Sequence, residues 1–113
     1  MTVFDRSPLT MVALADVEVA HRVVQDVLGG LEDLSSDDRD ILLDTLALWS
    51  THDSSASATA VVLYCHPNTV GYRLRRLEER TGRSLTSPRA VAELIFALEA
   101  RHRLSHLAPR RAG

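Results

Sequence analysis

The chain has 113 residues, 45% of them apolar and only 4% aromatic, which suits one small domain of packed helices with a core of leucine, valine and alanine. Its formal net charge of −2 conceals an asymmetry, because residues 1–55 carry three arginines and eleven acids whereas residues 56–113 carry ten arginines and four glutamates. A single cysteine excludes an intrachain disulfide framework, and we recognise neither a membrane span nor a signal peptide, so we expect a cytoplasmic protein without a membrane partner.

Helix-start signals divide the acidic half into three predicted helices. Ser7-Pro8 combines an N-cap serine with a proline at the first helical position and predicts a short first helix. A second helix is predicted over residues 17–28, capped by Asp16 and ended by two glycines. Ser35-Ser36 supply the cap of a third predicted helix, which has Asp37 and Asp38 in its first turn and reaches about Thr51. The predicted apolar side of that third helix consists of Ile41, Leu42, Leu46 and Trp49.

A helix-turn-helix pattern is the most informative feature of the basic half. We predict a short helix that begins at Ser55 or Ser57 and ends near Leu63, and a longer one at about Pro67–Thr81. Tyr64 stands at the turn position that often holds glycine. Such a pair needs a small residue where the helices approach, an apolar residue in the turn and an apolar anchor on the second helix. These three are Ala60, Cys65 and Val70.

The remaining signals complete the predicted domain organisation. Ser87-Pro88 repeats the helix-start signal, and the last helix has apolar positions to about Leu104. We expect an all-α fold of about five helices around the helix-turn-helix. Residues 1–31 are interpreted as an N-terminal helical segment and a candidate dimerisation element, residues 32–107 as the helix-turn-helix domain, and residues 108–113 as a basic, flexible tail.

The second helix of the pair carries the candidate DNA contacts. Its N-terminal backbone N–H groups and dipole favour a phosphate, and the charge of the basic half is that expected of a polyanion-binding surface. The residues expected to face the major groove are Asn68, Thr69, Tyr72 and Arg73. The residues expected to lie on backbone phosphates are His66, Arg75 and Arg76. We place Arg75 on a flank of this helix, and we expect His66 to donate to a phosphate, more strongly when it is protonated.

Other interpretations of the same residues stay open. The arginines could form a solvated face in which Arg75 pairs with Glu78 or Glu79, and the two oppositely charged halves could neutralise each other on folding. His66 could be an ordinary turn residue, and Cys65 is expected to be a small buried hydrophobe. We find no nucleophile–base pair, phosphate loop, cofactor motif or metal-ligand spacing, and therefore predict no enzymatic activity, cofactor or metal.

The run from His66 through Val70 into Tyr72–Arg76 resembles the hallmark of the C-terminal DNA-binding domain of PucR-family bacterial transcriptional regulators. The resemblance extends over roughly residues 28–104. It implies a helix-turn-helix similar to that of the Fis nucleoid protein, and transcriptional regulation through double-stranded DNA bound as a homodimer in the bacterial nucleoid. It also implies that any effector ligand is bound by a sensory region, which we expect to be absent from this chain.

One position departs from that family pattern. Residue 71 is usually arginine in the family and is glycine here, so a groove-facing side chain is missing. We therefore expect weaker or differently specific DNA binding than the family norm. The alternative is a protein-interaction module that keeps the helix-turn-helix fold and binds an acidic protein through its arginines.

Overall fold

Five α-helices form the described part of the chain, which in the computed structural model comprises Pro8, Met11 and residues 16–107. They are α1 (Val17–Leu28), α2 (Ser36–Thr51), α3 (Ala56–Leu63), α4 (Pro67–Thr81) and α5 (Pro88–Leu107), with a 3₁₀ turn at Gly29–Leu31. No strand occurs among these residues, so the prediction of an all-α fold is confirmed. The helix predicted at Ser7-Pro8 is outside the continuous described segment, as is the predicted tail 108–113.

Side-chain caps explain where these helices begin. Asp16 accepts hydrogen bonds from two backbone N–H groups of α1, at 3.0 and 3.2 Å. Ser35 accepts one from the first turn of α2 at 3.1 Å, and Ser55 accepts one from that of α3 at 3.0 Å. Ser55, rather than Ser57, is therefore the residue that starts the helix-turn-helix. Each such cap contributes about 1 kcal/mol to stability.

One main core joins all five helices. Its largest fully buried apolar residues are Leu31, Leu46, Val70, Leu77 and Leu94. Leu28, at the end of α1, belongs to the same cluster, and Ala20 packs with Ala100 where α1 runs along α5. The predicted boundary between residues 31 and 32 therefore falls inside a continuous core.

α2 presents a slightly different face to this core from the one predicted. Leu42, Leu46 and Trp49 are buried as expected, but Ile41 is exposed. Thr45 takes an inner position instead, and its hydroxyl is satisfied by donating to the Ile41 carbonyl oxygen at 2.7 Å. None of the helices in the described residues is long and apolar enough to cross a membrane.

Candidate nucleic-acid interface

The turn between α3 and α4 forms without glycine. Tyr64 adopts a left-handed conformation with φ 54° and ψ 45°, where a glycine is the usual residue. The N–H of Cys65 donates to the Ala60 carbonyl at 3.0 Å, and that of Tyr64 donates to the Val61 carbonyl at 3.3 Å. These two bonds form a Schellman ending for α3. Cys65 is half-buried and packs on the main core, so it occupies the predicted apolar position of the turn.

His66 closes the N-terminus of α4 as its N-cap. Its Nδ1 accepts a hydrogen bond from the N–H of Asn68 at 3.0 Å, and Pro67 follows at the first helical position. With Nδ1 as the acceptor of this bond, Nε2 is the ring nitrogen left to donate outward.

The outward face of α4 lies opposite its buried residues Val70, Leu74 and Leu77. Three exposed residues at i, i+4 and i+7 form a stripe along this face. This outward stripe consists of Asn68, Tyr72 and Arg75. Three half-buried residues lie along one flank of the stripe, namely Thr69, Arg73 and Arg76. The predicted positions of Arg75 and Arg73 are thus exchanged, because a rotation of about 100° per residue returns position 75, not 73, to the stripe.

The arginines of the stripe and its flank form no salt bridge in the described part of the chain, although the charge of Arg76 acts on the Asp33 carboxyl at longer range. No salt bridge joins Arg73, Arg75 or Arg76 to a carboxylate among residues 16–107. Glu78, one of the predicted partners of Arg75, instead accepts the N–H of Leu85 at 2.7 Å, in the connector that follows α4. The guanidinium groups therefore remain available to an external polyanion.

Arg80 has a structural task at the other end of α4. It forms a salt bridge with Asp33 and donates to the Gly30 carbonyl at 3.3 Å. The hydrogen bond from Arg80 lowers the pKa of the Asp33 carboxyl, and the positive charge of Arg76 lowers it further. The stabilising contribution of this carboxylate is fully present above the ordinary pKa of aspartate and is lost as the pH falls through the lowered value.

Gly71 leaves an open position beside the outward stripe. A Cβ atom built there would meet only Arg75 Nη1, at 3.4 Å, which is ordinary contact with the end of a flexible side chain. Nothing in the packing of the fold therefore demands glycine at this position. A longer side chain would project beside Arg75.

Sequence reasoning missed one exposed feature next to these residues. Tyr64 is 96% exposed and Val61 is 74% exposed, and both precede the N-cap of α4 by only a few residues. The signal available in the sequence was a tyrosine at a turn position that favours glycine. Among the described residues, no group of three histidines, cysteines or acids is placed to hold a metal ion.

The candidate interface lies within a longer region of the chain that is similar to known proteins. The family model for the PucR C-terminal helix-turn-helix domain matches residues 42–100. The purine catabolism regulatory protein of Bacillus subtilis is 34% identical over 95 residues, which are 84% of this chain and 18% of that protein. The transcriptional activator PmfR of Paenarthrobacter nicotinovorans is 32% identical over 100 residues, 88% of this chain and 21% of the relative.

A shorter match concerns the carbohydrate diacid regulator of Escherichia coli. It is 43% identical over 49 residues, which are 43% of this chain and 13% of that protein. The chain thus spans about a fifth or less of the length of these relatives. No solved structure gives a significant match.

Proposed function

Because the chain belongs to the PucR family by its C-terminal helix-turn-helix domain, we propose that it binds double-stranded DNA sequence-specifically as a transcriptional regulator. The recognition helix is α4, with its N-terminus directed into the major groove. The observation that carries this proposal is the outward stripe, where hydrogen-bonding side chains and an arginine without an acidic partner face solvent beside a capped helix N-terminus.

The stripe supplies the base contacts in this proposal. Asn68 can bond adenine through its amide, and Arg75 can bond the O6 and N7 atoms of guanine with two N–H groups. Tyr72 lies between them and provides an apolar surface for a thymine methyl group as well as a hydroxyl. In this proposal Arg75 joins the residues that contact bases, whereas Thr69 and Arg73, expected from the sequence to face the groove, contact phosphates instead.

The flank and the helix N-terminus supply the phosphate contacts. His66 offers its Nε2–H group, and the first backbone N–H groups of α4 add the positive end of the helix dipole. Thr69, Arg73 and Arg76 lie half-buried along the flank, from which a hydroxyl and two guanidinium groups can reach the DNA backbone. Contacts of this kind fix the register of the protein on the duplex and carry no sequence information.

Selection from a randomised duplex pool tests the proposal. We expect the full chain to enrich one sequence, and Arg75→Ala to relax the preference at one base pair with a loss of roughly 1–3 kcal/mol in binding. Arg22→Ala is the matched control, since it removes an exposed arginine from α1. Loss of sequence preference in Arg75→Ala alone supports the proposal. No enrichment by the unaltered chain at low salt overturns it.

The competing function is a protein-interaction module whose arginines bind an acidic partner. Glu78 accepts the Leu85 N–H and forms no salt bridge with Arg75, so it leaves this arginine open to either kind of partner. Both functions depend on charge, so their response to salt is similar. Base order separates them, because an acidic-protein binder does not distinguish an enriched duplex from a scrambled one of equal length.

We include a homodimer in this proposal, acting on the nucleoid in the bacterial cytoplasm. Its support is the charge separation along the chain and the exposure of two valines at the start of α1, Val17 and Val19. α1 packs along α5 within one chain, which leaves these valines on the outer surface. The effector, regulated genes and sign of regulation are properties of the whole regulator.

A further inference from the structure

Tyr64 combines backbone strain with almost complete exposure. A left-handed conformation is unfavourable for a non-glycine residue, and it is held here by the two hydrogen bonds that end α3. The side chain is 96% exposed, and its hydroxyl has no hydrogen-bond partner among the described residues. The fold therefore gains little from the ring at a position where glycine would remove the strain.

We propose that the Tyr64 hydroxyl donates a hydrogen bond to a DNA phosphate next to the one bound at the N-terminus of α4. This inference rests on the proposed function and adds a residue to it. Tyr64 is two residues before the N-cap His66, a separation that the backbone spans in at most about 7 Å. Tyr64 therefore lies within that distance of the N-terminus of α4, where the proposed phosphate binds.

The surroundings of the ring suit a DNA backbone. Residues 56–66 contain no carboxylate, so nothing in α3 or the turn repels a phosphate at short range. Val61 is 74% exposed and lies three residues before Tyr64, where it provides an apolar surface for a deoxyribose. Tyrosine hydroxyls are among the side-chain groups that bind DNA phosphates. Tyrosine at this strained position thus supplies a hydroxyl donor that glycine would lack.

Three variants of the full chain separate strain from DNA contact. Tyr64→Gly and Tyr64→Asn both tolerate the left-handed turn, so each should raise the Tm by about 3 °C while weakening binding about tenfold. Tyr64→Phe keeps the ring and the strain, so it should leave the Tm unchanged and weaken binding similarly. The probes are the duplex recovered by selection and a scrambled duplex of the same length, both measured by fluorescence anisotropy.

The affinities for the two duplexes and their dependence on salt concentration identify the kind of contact that Tyr64 makes. Loss of a phosphate contact made by a neutral hydroxyl should weaken binding to both duplexes equally. It should leave the slope of log Kd against log salt unchanged, whereas Arg76→Ala should reduce that slope by about 1. Unaltered affinity in Tyr64→Phe, or a loss confined to the selected duplex, overturns the inference. If the unaltered chain binds neither duplex, the proposed function fails with it. If the unaltered chain binds and all three variants match it, only the role of Tyr64 fails.

Discussion

At the scale of one residue, Gly71 lowers the stability of α4 and lies beside the proposed DNA-binding surface. Glycine inside a helix is about 1 kcal/mol less favourable than alanine. The space around the Cβ position holds only the end of the Arg75 side chain, so the fold itself does not need glycine. The position is beside the outward stripe, and any side chain placed there enters the proposed interface.

We predict that Gly71→Ala raises the free energy of unfolding by about 1 kcal/mol with little change in DNA affinity. Gly71→Arg should share that gain in part and strengthen DNA binding by roughly 1–3 kcal/mol if the new guanidinium reaches a base. Urea denaturation and binding titrations measure the two effects, and the alanine variant separates helix stability from contact. Equal affinities for the two variants would show that position 71 does not face the DNA.

At the scale of elements, the 3₁₀ turn Gly29–Leu31 packs closely against the C-terminal end of α4. The turn lies so close to the C-terminal end of α4 that a Cβ atom at Gly30 would overlap the Arg80 carbonyl group. Arg80 reinforces this approach through the Gly30 carbonyl and the Asp33 carboxylate. α4 is therefore held by its C-terminal end, whereas its N-terminal half projects the stripe.

Two adjacent glycines provide a matched test of this junction. Gly30→Ala should lower the free energy of unfolding by roughly 1–3 kcal/mol, since the obstructing atoms are backbone and both elements must shift. Gly29→Ala should be neutral or stabilising by about 0.5 kcal/mol, because nothing lies within 4 Å of its Cβ position. Chemical denaturation of both variants gives the comparison. Similar stabilities would mean that the turn does not pack closely on α4.

For the whole molecule, charge is distributed unevenly along the chain. The acidic residues belong mainly to the first half of the chain and the arginines mainly to the second, which contains α4, the proposed recognition helix. A dimer joined through the acidic N-terminal part would keep both recognition helices directed towards the DNA. The operator would then contain two half-sites related by the two-fold symmetry of the dimer.

We predict an operator of two half-sites whose centres are about 10 base pairs apart, matching recognition helices about 34 Å apart. Sedimentation equilibrium should show a dimer, and Val19→Asp should shift it to a monomer that keeps its helical circular-dichroism spectrum, because Val19 is 52% exposed in the monomer. Val62→Asp is the control, since it makes the same change at an exposed valine of α3. A monomer at high concentration, or a single enriched half-site, would contradict the dimer.

Local chemistry allowed the sequence to predict the helices closely. The caps at Asp16, Ser35 and Ser55 and the left-handed Gly82 act within a few residues, so their positions indicate helix ends without knowledge of the fold. The candidate residues of α4 could be recognised for the same reason. Their roles in DNA binding remain predictions.

Only the tertiary structure decided which side of each helix faces inward. Ile41 is exposed and Arg75 lies on the outward stripe, because burial depends on which helices pack against α2 and α4. The exposure of Tyr64, whose ring no other described helix covers, was likewise decided by the packing of the helices. The sequence determined the local conformations and the residue types available for DNA contact. Contacts between residues distant along the chain decided which of them reach the surface together.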